Sequence, residues 1–263
     1  MPPAASAVVT FGIPGIALLT AGLLIAGTAV AEHRLGTPPE RRRRNVVLVA
    51  VACALWLLLT GLLAARGILA RTDTRPPVLA PFMASMLVVS LAWSLSPFGA
   101  RLARGLPVWV MIMAQSFRLP LELVMHQAAR EEVMPAQLSF SLSGTGFNFD
   151  IVVGMLALPV GWLVATRQAP LWLPRLWNLL GFVTLAVIAG IAIATSPMVH
   201  AFGTAPKSLN TWVMHFPFVW LPAGAVVFAL GSHIVIARAL RHAKRDWPRP
   251  DEEAAAALRQ SAG

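Results

Sequence analysis

Long apolar runs alternate with short polar turns along almost the whole chain. Seven runs stand out, at residues 7–31, 45–65, 78–97, 106–126, 148–166, 176–196 and 212–237. A helix needs about 20 apolar residues to cross roughly 30 Å of hydrocarbon, and each run is close to that length. The pattern predicts an all-α membrane protein: a seven-transmembrane-helix bundle over residues 1–237, then a short basic and polar cytoplasmic tail at 238–263. Small residues four apart, Gly22 with Ala26 and Ala186 with Gly190 and Ala194, read as seams where helices approach closely. Pro120, Pro159, Pro217 and Pro222 fall inside runs, where each frees a carbonyl one turn earlier and reads as a kink.

Composition points the same way, with 57% hydrophobic residues, 12% charged residues and a mean hydropathy of +0.70. A net charge of +10 would suggest nucleic acid in a soluble chain. Here the basic residues sit in short loops and in the tail, where they orient the bundle. With the N-terminus outside, the inner loops and tail hold fifteen Lys and Arg, including the arginines at 41–44, against five outside. That bias predicts N-out, C-in, in a bacterial inner membrane, with the lipid bilayer as partner and no role for nucleic acid. Oligomerisation stays open. Ala29-Val30-Ala31 resembles a signal-peptidase site, but no Lys or Arg precedes it after Met1 and its apolar run is long, so a retained first helix is expected. The single Cys53 excludes an intrachain disulfide and a Cys-based metal site. Tyr is absent, so the 9 Trp supply most of any aromatic belt.

Candidate chemistry concentrates between Gln115 and Asp150. On one helix, Gln115, Arg118, Glu122 and His126 are spaced by three, four and four, which places them on one face. Ionisable groups at membrane depth are costly and need partners or a purpose. Arg118 cannot be neutralised, so it must pair or meet water. Asn148 and Asp150 open the next run at the same level, where Asn as an N-cap and Asp in the first turn also suit a helix start. His200, Asn210 and His215 are expected at a similar depth. His126, His200 and His215 are weak candidates for holding a haem iron or a metal, because imidazole suits both. No pair of them has a metal-ligand spacing, and no motif requires a cofactor. His233, deeper in the last run, is expected to hydrogen-bond within the bundle.

From Gln137 to Ser143 polar and apolar residues alternate, which suits a short strand or an extended lid, and Gly144-Thr145-Gly146 reads as a flexible turn. Several activities lose support. The seventh run has no Lys for a retinal Schiff base, Phe140-Ser141-Leu142-Ser143-Gly144 lacks the first glycine of an intramembrane serine protease motif, and neither a Walker A sequence nor a DxxD cluster occurs. No catalytic motif is found, so the sequence does not decide whether the protein is an enzyme.

QSFRLPLELVMH, MPAQLSF and GFNFDIVVG together resemble a family of uncharacterised bacterial polytopic integral membrane proteins. The resemblance spans roughly Gln115 to Gly154. It implies a multi-span membrane protein in which Gln115, Arg118, Glu122, Asn148 and Asp150 match the pattern, and it implies no activity.

The expected function is binding or transport of a small polar or anionic ligand in an outward-facing pocket, with proton coupling as an option. Arg118 would anchor the ligand, Glu122 would handle a proton, and Gln115, His126, Asn148, Asp150 and His215 would complete the site. One alternative is a structural or accessory membrane subunit whose buried charges only lock helices together. Another is a haem- or metal-binding redox protein.

Overall fold

The computed structural model describes residues 5–243 and 247, apart from 72, 75 and 142–144. Most of the expected tail and the Leu142, Ser143 and Gly144 portion of the expected lid therefore lie outside the described residues. Helix α1 (Ala7–Arg34) is capped by Ser6, whose hydroxyl accepts from the Val9 N–H. Pro39 occupies the first position of α2 (Pro39–Ala65), where a missing N–H has no helical partner to lose. Helices α3 (Leu79–Leu95) and α4 (Pro97–Gly105) meet at a 58° bend. Pro97 cannot continue the ladder of α3, and Ser96 turns the chain by accepting from the Phe98 and Gly99 N–H groups. Gly99 is required in this bend, since a Cβ there would lie 2.1 Å from the Ser94 carbonyl oxygen.

Helix α5 (Val108–Met113) passes through a 3-10 turn (Ala114–Phe117) into α6 (Arg118–Arg130). Then follow α7 (Asp150–Ala165), α8 (Trp172–Ala194), a π-turn (Leu221–Val226) and α9 (Val227–His242). Each apolar run thus becomes mainly helix, and no strand occurs among the described residues. The lid departs from the expected strand at its start, because Pro135 leads into a 3-10 turn over Ala136–Leu138. On either side of the undescribed residues, the Phe147 and Asn148 N–H groups donate to the Gln137 and Ser139 carbonyls. The last run also differs. Residues 212–220 are a short 3-10 turn and irregular chain, and regular helix begins only at Leu221 but persists to His242.

Five of these stretches are long and apolar enough to cross a membrane, namely Ala7–Arg34, Pro39–Ala65, Val108–Arg130, Trp172–Ala194 and Leu221–His242. The bent α3–α4 pair makes a sixth if it crosses as one. Helix α7, at 16 residues, rises only about 24 Å and falls short of the usual thickness. The surface agrees with contact to lipid: α2 turns Val51, Leu55, Leu58 and Leu62 outward, an apolar face far larger than water tolerates. These helices suggest a multi-pass membrane protein. Inside, α1 packs on α2, α4 and α6, α9 packs on α3, α4 and α8, and α7 lies against α5, α6 and α8. The site sits where α6, α7, α8 and α9 come together.

Candidate functional site: a buried polar ladder

Arg118 opens α6 and is fully buried. Its Nη1 donates to Oδ1 of Asp150, in the first turn of α7, where the helix dipole also favours a carboxylate. The same carboxylate oxygen accepts from the Thr184 hydroxyl of α8 at 2.7 Å. One anion therefore ties three helices. Gly154 permits the approach, because a Cβ there would lie 2.9 Å from the Leu119 nitrogen and 3.0 Å from Arg118 Cβ. On the other side, Arg118 Nε donates to Gln115 Oε1 at 3.3 Å, and Gln115 is also fully buried.

Glu122, 2% exposed, is held differently. Its two oxygens accept from Asn148 Nδ2 at 2.8 and 2.9 Å, and among the described residues no ion pair includes it. Asn148 joins the two halves of the site. Its Nδ2 also donates to the Leu138 carbonyl, and its Oδ1 accepts from the Asp150 N–H at 3.0 Å, fixing the start of α7. Asn148 itself lies before the helix, whose first residue is Asp150.

Two further helices extend the ladder. His233 of α9 is fully buried, with Nδ1 2.8 Å from Asn178 Oδ1 of α8. Its ring lies between Trp177 and Phe182, at centroid distances of 5.3 and 5.5 Å. Gly181 makes room for it, since a Cβ there would approach the ring to 2.1 Å. Sequence reasoning placed His233 in the bundle but missed Asn178 and Thr184. The available signal was the spacing Asn178, Gly181, Thr184, which puts the small and polar positions of an otherwise apolar helix on one side.

Hydrogen-bonding capacity remains at this ladder. Among the described residues, Gln115 Nε2, Arg118 Nη2 and His233 Nε2 are buried without a hydrogen-bond partner. With Nδ1–H donating to Asn178, His233 Nε2 is an acceptor, so the set comprises two donors and one acceptor. Burying such groups unpaired costs about 1–3 kcal/mol each, and more for a charged one.

The outer histidines lie outside the ladder. His126 is exposed, with Nδ1 3.3 Å from both the Phe140 carbonyl and the Ser139 hydroxyl. It leaves the expected face because the buried side of α6 follows Arg118, Leu121, Glu122, Met125 and Ala128, which puts Met125 inward and its neighbour outward. His200 is exposed, and His215 is half-buried. Asn210 is buried near the end of α8, its N–H donating to the Thr195 carbonyl. Among the described residues, no group of three or more His, Cys, Asp and Glu is arranged to hold a metal ion. Comparison with family models, curated proteins and solved structures gives no match, so the functional reading rests on this geometry.

Proposed function

We propose that this multi-pass protein binds, and carries across a bacterial inner membrane, a small polar or anionic ligand at the ladder formed by α6, α7, α8 and α9. The observation that supports this most is the set of buried, unpartnered groups on Gln115, Arg118 and His233. Two donors, one of them on a cation, suit an anionic group such as a carboxylate or phosphate, and the acceptor adds a partner for a ligand that also carries a proton, as dihydrogen phosphate does. Arg118 anchors the anionic group. Asp150 and Thr184 set the direction of the guanidinium, and Asn148 links that pair to Glu122. Glu122, whose bonds come from a neutral amide, is the carboxyl that takes up or gives back a proton as the ligand moves. In this reading the apolar runs make seven crossings, with the N-terminus outside, the C-terminus in the cytoplasm and the site in the outer half. His126 and His215 line the approach rather than the site.

A second reading has its own observation. Asp150 binds both Arg118 and Thr184, so the ladder would also serve a structural or accessory subunit by locking α6, α7 and α8 together.

Thermal unfolding of detergent-purified protein with formate, acetate or inorganic phosphate separates the two. A ligand that binds only the folded state stabilises it by about 2.7 kcal/mol at a hundredfold excess over Kd. The binding reading predicts a rise in Tm with at least one of these anions, and no rise in Arg118→Gln/Asp150→Asn, which removes both charges together. A Tm indifferent to every anion supports the lock.

A further inference from the structure

A cleft of about 520 Å³ opens between α1, α2, the α3–α4 bend and α9, and it shares no residue with the ladder. Its α2 wall is a single helical stripe of Asn45, Leu48, Val49, Ala52, Cys53 and Trp56. From Asn45 to Trp56 the stripe rises about 16 Å, roughly half the thickness of the hydrocarbon. The cleft is therefore about one leaflet deep. The end away from Asn45 closes where Trp56 Nε1 donates to the Ala223 carbonyl at 2.8 Å.

The Asn45 end is charged. Arg101 of α4 sends Nε and Nη2 to Glu32 of α1 at 2.7 and 2.5 Å, and Nη2 also to Thr37 at 2.8 Å. The two partners are unequally placed. The Arg101 side chain is 35% exposed and that of Glu32 only 3%, so the pair presents its cation and hides its anion. Arg34 and the arginines at 41–44 flank the same turn between α1 and α2, opposed there by Glu40. An apolar slot of single-leaflet depth, with Arg101 at its mouth and further guanidinium groups on the adjoining turn, matches a molecule with an acyl chain and an anionic head.

We propose that the cleft holds an acyl chain of an anionic phospholipid taken from the leaflet on the α1–α2 turn side, with its phosphate against Arg101 and the arginines at 41–44. The chain buries its methylenes against the Leu48–Trp56 stripe. The head supplies selectivity, because basic pockets at helix ends recognise anionic lipids by charge and guanidinium meets phosphate through paired N–H donors. A zwitterionic lipid fills the slot equally well and gains less at the rim.

Native mass spectrometry of delipidated protein tests this with phosphatidylglycerol, phosphatidylcholine and glycerol 3-phosphate. Wild type should retain phosphatidylglycerol at a concentration about tenfold below that needed for phosphatidylcholine, and should not retain glycerol 3-phosphate. Ala52→Phe fills the slot from an exposed position and should lower retention of both lipids, and Ala21→Phe should do the same from the α1 wall. Arg41→Gln/Arg44→Gln, exposed one turn before Asn45 and Leu48 of the stripe, should bring phosphatidylglycerol down to the phosphatidylcholine level. Equal retention of the two lipids by wild type overturns the proposal. So does undiminished phosphatidylglycerol in both filling variants, or retention of glycerol 3-phosphate equal to that of the lipid.

Discussion

Burying the Arg118 guanidinium obliges its neighbours to answer its charge. Asp150 does so directly, and Glu122 does not. The two carboxylates should therefore respond differently to neutralisation. Asp150→Asn leaves a buried guanidinium without its counter-ion and should destabilise by about 3–5 kcal/mol in denaturant or thermal unfolding. Glu122→Gln disturbs only hydrogen bonds from Asn148 and should stay within about 1 kcal/mol of wild type. Equal losses at both positions would contradict this division. Arg118, Glu122, Asn148 and Asp150 were legible in the sequence because charged and amide groups stand out in an apolar run. Thr184 and Asn178 were not, since a single hydroxyl or amide within a spanning helix commonly bonds its own backbone and announces no partner. The exposure of His126 was hidden for a different reason. Spacing gives positions around a helix but not how wide its buried face is, and here that face runs round from Ala128 to Glu122 and stops short of His126.

At the scale of elements, apolar length located the long helices well and their ends less well, and it missed α4, which lies between two runs where Arg101 and Arg104 read as loop. The α3–α4 bend follows from Ser96 and Pro97, which the sequence displays, but the angle depends on Gly99 packing against Ser94, which it does not. Whether this pair crosses the bilayer decides the topology. Reporter fusions after Arg71, Gly105, Arg130 and Arg167 should read outside, inside, outside and inside. A fusion after Gly105 that reads outside would make the pair re-entrant and reverse the later orientations. The far ends of α1 and α6 are tied by the Ser6 N–H donating to Glu131 at 2.9 Å. Hydrogen bonds from Ser6, hydroxyl first and backbone second, hold the exposed Glu131 carboxyl below its ordinary value. A lowered folded value means the tie is fully present above the unfolded value of 4.5 and is lost as pH falls through the folded one. Hydrogen exchange at the start of α1 should accelerate in that acid range, and Glu131→Gln should abolish the pH dependence.

At the scale of the molecule, the outward apolar faces suggest contact with lipid, α9 is the most buried of the long helices, and the polar ladder from α6 to α9 is buried within the protein. That arrangement makes each interior hydrogen bond strong and each unpaired donor expensive. Isothermal titration calorimetry of the purified protein with formate, acetate and phosphate, repeated in buffers of different ionisation enthalpy, tests the ladder as a binding site most directly. Saturable heat in wild type, varying with the buffer because Glu122 exchanges a proton, is the predicted result. In Glu122→Gln the heat should persist without the buffer dependence, and in Arg118→Gln/Asp150→Asn it should vanish. No saturable heat from wild type with any of the three anions, or an unchanged isotherm in the double variant, would contradict a ligand site and leave the ladder as a lock between helices.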